Sequence, residues 1–136
     1  MSTTAVVIVS HGEAAIAMVA AAEKVLGSLD VHTVIVNPHE SKVNVELAIE
    51  AEVANIHADD LLFLIDLEGS TPFNMCCRRC KGTSVVLSGL NLPMLFKLAT
   101  ADRDHGALPL AEELQSTALK SIHIRRGNTN EGEKIG

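Results

Sequence analysis

Ala5-Val6-Val7-Ile8-Val9 is an unbroken apolar run in which four of the five residues are β-branched. A run of that length without polar alternation fits a strand covered on both faces, and such strands belong to parallel sheets sandwiched between helices. Thr33-Val34-Ile35-Val36, Leu61-Leu62-Phe63-Leu64-Ile65 and Ser84-Val85-Val86-Leu87 have the same character. Between these runs the apolar residues fall at helical spacing. Ala15, Met18, Val19, Ala22, Val25 and Leu26 trace one helix face, closed by Gly27. Asn37-Pro38 stops the second strand, and Ser41 is placed to cap a helix running to about Ile56. Thr71-Pro72 has the form of an N-cap followed by proline at the first helical position, for a helix ending near Lys81. Asn91 and Pro93 open a further helix with Met94, Leu95, Leu98 and Ala99 as its apolar stripe. Pro109 starts the last one, with Glu112 and Glu113 in its first turn and Lys120 near its end, as the helix dipole favours. Ser121 to Arg126 alternates through Ile122 and Ile124 and reads as a short amphipathic strand.

The order β-α-β-α-β-α-β-α-α-β predicts an α/β fold, a doubly wound and mostly parallel sheet with helices on both faces. The 136 residues suffice for one domain with its own core. Residues 1–126 form that domain, and 127–136, with Ile135 as their one large apolar residue, read as a frayed tail. A hydrophobic fraction of 47% excludes a disordered chain. The net charge of −6 argues against nucleic acid and anionic lipid as partners. With three Phe and no Tyr or Trp there is no aromatic platform for stacking bases. No apolar run is long enough to insert in a membrane, and no basic segment precedes the first strand as in a signal peptide. The three cysteines, Cys76, Cys77 and Cys80, are odd in number and crowded, unlike a secreted disulfide framework. A reducing, cytoplasmic setting is the expectation. Cys77-Arg78-Arg79-Cys80 has a CxxC spacing, but on a helix without a second ligand cluster it reads as buried thiols.

Open α/β sheets bind ligands beyond the carboxyl ends of their strands, where the strand order reverses. Ser10, His11, Gly12 and Glu13 follow the first strand, Asn37 to Glu40 the second, and Asp66 to Thr71 the third. Ser88, Gly89, Leu90 and Asn91 follow the fourth. If the first and third strands are neighbours, Asp66 meets His11, fixes its tautomer through Nδ1–H and leaves Nε2 as a nucleophile. Gly69, Ser70 and Thr71 lead into a helix N-terminus, whose free N–H groups and positive dipole suit a phosphate.

Three segments, Val7-Ile8-Val9-Ser10-His11-Gly12, Asp66-Leu67-Glu68-Gly69-Ser70-Thr71-Pro72-Phe73-Asn74 and Gly89-Leu90-Asn91-Leu92-Pro93-Met94-Leu95, resemble the mannose-type enzyme IIA of the bacterial sugar phosphotransferase system. The resemblance covers nearly the whole chain, from about Val6 to Arg126. It implies that His11 is the phosphorylated histidine, charged by the phosphocarrier protein HPr and discharged to a histidine of a IIB protein. It implies that Asp66 orients His11 and that Thr71 stands near the phosphoryl group. It also implies a homodimer that exchanges its final antiparallel strand, here Ser121 to Arg126, and a transfer without metal or cofactor. Departures are Leu67-Glu68-Gly69-Ser70, where members often carry an aromatic residue and two glycines, and His39, where glycine is common. Since no fused IIB domain follows, IIB is expected to be a separate protein.

Other readings stay open on the residues alone. Ser10-His11-Gly12-Glu13 is also similar to the histidine phosphatases, which need an arginine where Ser10 stands and a second catalytic histidine. A chelatase likewise places a histidine after its first strand and needs another facing it. A IIA-like regulatory module would use the same phosphorylation without sugar transport. No Walker loop is present to bind a nucleotide phosphate donor.

Overall fold

The computed structural model describes residues 3–79 and 82–127. The chain runs β1 (Thr4–His11), α1 (Ala14–Leu26), β2 (His32–Val36), α2 (Lys42–Ala54), β3 (Asp60–Ile65), α3 (Thr71–Arg79), β4 (Val85–Ser88), α4 (Leu92–Leu98) and α5 (Ala107–Lys120). The four strands form one parallel sheet in the order β2-β1-β3-β4. From β1 the chain adds β2 on one side and then β3 on the other, so the reversal of strand order lies between β1 and β3.

Alternation along the central strands builds the two layers. Val6 and Ile8, with Leu62 and Leu64, face α1, α4 and α5 through Val19, Leu95, Leu98, Leu110 and Leu114. Val7 and Val9, with Phe63 and Ile65, face α2 and α3 through Val45, Ile49, Met75 and Cys76. Residues Val6 to Val9 and Leu62 to Ile65 are fully enclosed. This is the doubly wound α/β arrangement expected from the apolar runs, with helices on both faces.

The boundaries differ in instructive places. The second helix ends at Ala54 rather than Ile56, and β4 covers Val85–Ser88 rather than beginning at Ser84. The last helix begins at Ala107, two residues before Pro109, so Glu112 and Glu113 lie beyond its first turn. Its cap comes from the start of β3, where the buried carboxylate of Asp60 accepts the Ala107 N–H at 3.2 Å and the Thr83 hydroxyl. Proline is tolerated anywhere in a first helical turn, where N–H groups have no intrahelical partner, so Pro109 marked the turn and not its first residue. Ser41 and Asn91 cap α2 and α4 as expected, accepting from Asn44 N–H and Met94 N–H.

Arg103 closes the amino end of the sheet. Its guanidinium donates to the carbonyls of Asp30 and Leu29, and its own carbonyl accepts from Thr4 N–H at 3.0 Å. Burial lowers the pKa of this guanidinium, and the nearby Asp30 charge opposes that shift. Residues 121–126 pair with no strand of their own chain, and Ile122 and Ile124 stand exposed. Of the expected tail, residues 128–136 lie outside the described residues. Cys76 is buried as expected, Cys77 is exposed, and Cys80 also lies outside the described residues.

Asp60 holds β3, the segment before β4 and α5 together. Asp60→Ala is expected to lower the unfolding free energy by about 2 kcal/mol through loss of hydrogen bonds to a charged acceptor. A urea titration with an unchanged midpoint would contradict this.

Candidate functional site

The carboxyl ends of β1 and β3 bring together the two side chains singled out by position. β1 and β3 pair in register from Thr4 with Asp60 to Val9 with Ile65. His11 is the last residue of β1, and Asp66 is the first beyond β3. The carboxylate of Asp66 grips His11 in two ways. It accepts the His11 main-chain N–H at 2.9 Å, and both its oxygens lie 3.1 Å from Nδ1. A carboxylate only accepts, so the Nδ1 position carries the proton and the Nε2 lone pair points away from Asp66. The His11 side chain is 47% exposed and that of Asp66 19%. The ring therefore sits at an open surface while the carboxylate that holds it is more sheltered.

The turn after His11 is fixed on both sides. Gly12 has φ +59, a left-handed conformation that L side chains rarely adopt, and its N–H donates to Val36 of β2 at 2.7 Å. Ser10 is wholly buried, and its hydroxyl accepts from Ala15 N–H and donates to the Gly12 carbonyl. Glu13 makes no side-chain cap at the start of α1, and Ser10 serves that first turn instead. The sequence reading left Ser10 without a role. A hydroxyl inside an otherwise apolar strand was the available signal, because burial obliges it to find partners.

The β3–α3 loop differs from expectation by one residue. Ser70, rather than Thr71, caps α3: its hydroxyl accepts Phe73 N–H at 3.2 Å and donates to the Leu67 carbonyl at 2.7 Å. Thr71 is then the first helical residue, and Pro72 the second. The Ser70 hydroxyl is thus engaged within its own loop. The N–H groups of the first turn of α3 have no intrahelical partners by geometry. Gly69 takes φ +78 to make the turn, and Leu67 and Glu68 are exposed beside it. Leu90 N–H donates to the Ile65 carbonyl at 3.1 Å, which binds the β4–α4 loop to the same edge. His39, at the end of β2, adopts φ +64 and is exposed. Among the described residues no three His, Cys, Asp or Glu side chains gather into a metal-binding group.

The family model for the PTS system fructose IIA component, where PTS is the phosphotransferase system, matches residues 5–115. The chain belongs to that family. The mannose/sorbose-specific IIA subunit of Enterococcus faecalis shares the fold at TM-score 0.81 and 22% identity, over 96% of this chain and 99% of that one. The EIIA component of Streptococcus agalactiae matches at 0.77 and 25% identity, over 89% and 96%. The IIA protein associated with the fucose utilization operon of Streptococcus pneumoniae matches at 0.76 and 24% identity, over 91% and 96%. No curated protein sequence matches the chain. The resemblance read from the three strand-end segments is thus to the right family, and the parallel α/β sheet is the fold of these IIA structures. No helix among the described residues is long and apolar enough to cross a membrane.

Two measurements test this geometry. Nitrogen-15 NMR of His11 is expected to show the Nδ1–H tautomer, with Asp66→Ala shifting the mixture towards Nε2–H; an unchanged tautomer would remove the orienting role of Asp66. Ser70→Ala is expected to cost about 1 kcal/mol of stability, as loss of an N-cap does, and Thr71→Ala clearly less. The reverse ranking in chemical denaturation would return the cap to Thr71.

Proposed function

We propose that this chain is a phosphocarrier that takes a phosphoryl group from phospho-HPr on His11 and hands it to a IIB component during sugar uptake. The observation that carries the reading is the His11 ring, held by Asp66 at Nδ1 and open at Nε2, in a chain of the IIA family. In the accepting step the Nε2 lone pair forms a new N–P bond. The bond between phosphorus and the donor imidazole breaks, and its electron pair stays on that imidazole. Onward transfer to the IIB histidine repeats the exchange with His11 as the leaving group. Such transfer relies on in-line positioning and on charge stabilisation rather than on further covalent chemistry.

Asp66 is the orienting group in this reading. Its grip on both the main chain and the ring lets His11 react without first being reoriented. Gly69, Ser70 and Thr71 form the phosphate-binding turn, with main-chain N–H groups and the positive end of α3 facing the incoming charge. The Thr71 hydroxyl stands with them. Ser70 contributes through its main chain, since its hydroxyl is occupied. No metal or cofactor takes part in the transfer. The working unit is residues 1–126 in the cytoplasm, as a homodimer in which residues 121–126 add an antiparallel strand to the partner. The free edge of β4 and the exposed Ile122 and Ile124 support that exchange. The sugar is chosen by the IIB and transport proteins, since IIA handles only the phosphoryl group.

Incubation with phosphoenolpyruvate, enzyme I and HPr is expected to add the mass of one acid-labile phosphoryl group. His11→Ala is expected to take none. Asp66→Asn is expected to be labelled at least about 10-fold more slowly, because an amide no longer favours the Nδ1–H tautomer that leaves Nε2 bare. A wild-type protein left unlabelled by active HPr, or a His11→Ala variant labelled normally, would overturn this reading.

A further inference from the structure

β4 is one of the two edge strands of the sheet, and all four of its residues are only half-buried. Beside its amino end lies a cavity of about 600 Å³ whose lining includes Asp60, Thr83, Val85, Asp104 and His105. The charges in this cavity are unbalanced. Asp60 is capped by Thr83 and Ala107, as described above. His105 turns its Nε2 to Asp102 at 3.0 Å, and Asp102 also accepts the Asp104 N–H. Asp104 itself is exposed, and among the described residues no cation pairs with its carboxylate. The cavity therefore suits a cation approaching along the edge of β4.

The chain itself carries such a cation on a segment of matching length. α5 starts against Asp60, at the amino end of the sheet, and ends beside the start of α4, where Thr117 shares a hollow with Leu92 and Pro93. The chain thus leaves α5 at the carboxyl end of the sheet. A strand that enters there and lies antiparallel on β4 runs towards the amino end. Residues 122–126 span about 17 Å when extended, enough to pass the four residues of β4. They end in Arg125 and Arg126 at the level of Val85, beside the cavity. Successive side chains of a strand alternate between faces, so one of these two arginines faces the α5 layer, where the cavity lies. In the single chain this segment stands away from its own β4, with Ile124 96% exposed.

We propose that the acidic cavity at the amino end of β4 receives an arginine, Arg125 or Arg126, from a second copy of this chain and pairs it with Asp104. The proposal rests on the strand exchange named in the proposed function and adds to it the charged contact that sets where the strand stops.

Sedimentation velocity from nanomolar to micromolar protein tests it. The wild type is expected to dimerise. Asp104→Arg and the double variant R125E/R126E are each expected to weaken the dimer by roughly tenfold or more, as like charges then face each other across the contact. Combining the three substitutions is expected to restore the dissociation constant to within a few-fold of wild type. Asp104→Asn, which only neutralises, is expected to fall between wild type and Asp104→Arg. A wild type that stays monomeric, dissociation constants that do not change, or a triple variant no tighter than its parents would each overturn the proposal. His11 labelling by phospho-HPr is read separately on the same samples. A dimer that takes no label defeats the phosphocarrier reading alone, whereas a labelled monomer defeats the strand exchange and the cavity assignment and leaves the phosphoryl transfer standing.

Discussion

The parallel ladder between β1 and β3 is the constraint on which the rest of the molecule depends. Both strands are enclosed on both faces, so their side chains interlock two helical layers at once. The ladder runs in register from Thr4 and Asp60 to Val9 and Ile65. A slip of one residue would exchange every side chain between the layers, and the mismatch in an apolar interior would be severe. Register is therefore tightly held, and with it the two residues that follow the strands. His11 and Asp66 meet because two apolar strands pair in only one good way.

The same strand β3 carries a carboxylate at each end, and the two serve opposite purposes. Asp60 is buried and ties together a strand, a turn and a helix start. Asp66 lies just outside the enclosed part and holds a ring that remains open to solvent. Depth in the fold separates the two carboxylates, although the residue type is the same. Ser10 and Ser70 make a similar pair near the site. Each hydroxyl is engaged by main-chain groups, so each shapes the turn rather than meeting a ligand through its oxygen.

Much of this was legible in the sequence because long apolar runs announce buried strands, and residues at strand ends announce the crevice. The neighbourhood of His11 and Asp66 needed only the strand order. Family membership was legible from three short segments at matching strand ends. What escaped was set by tertiary contact or by degenerate local signals. Ser70 and Thr71 are both competent caps, and Pro72 fits the first or second helical position, so local chemistry left the start of α3 ambiguous by one residue. The cap of α5 comes from Asp60, far away in sequence, and nothing near Pro109 pointed to it. The polar position of Ser10 in an apolar run signals a partnered hydroxyl, but its partners, Ala15 N–H and the Gly12 carbonyl, are set by the turn into α1.

The grip of Asp66 on His11 also decides what the orientation of the ring depends on. One carboxylate holds the main-chain N–H and the ring nitrogen together, so the orientation of the ring is referenced to the backbone rather than to surface side chains. Leu67, Glu68 and His39, in the loops after β3 and β2, are exposed and lie outside that pair of hydrogen bonds. Changes of size or charge at these exposed positions would leave the orientation of the ring as it is. An orientation set by the main chain is thereby insulated from the chemistry of the surface around it.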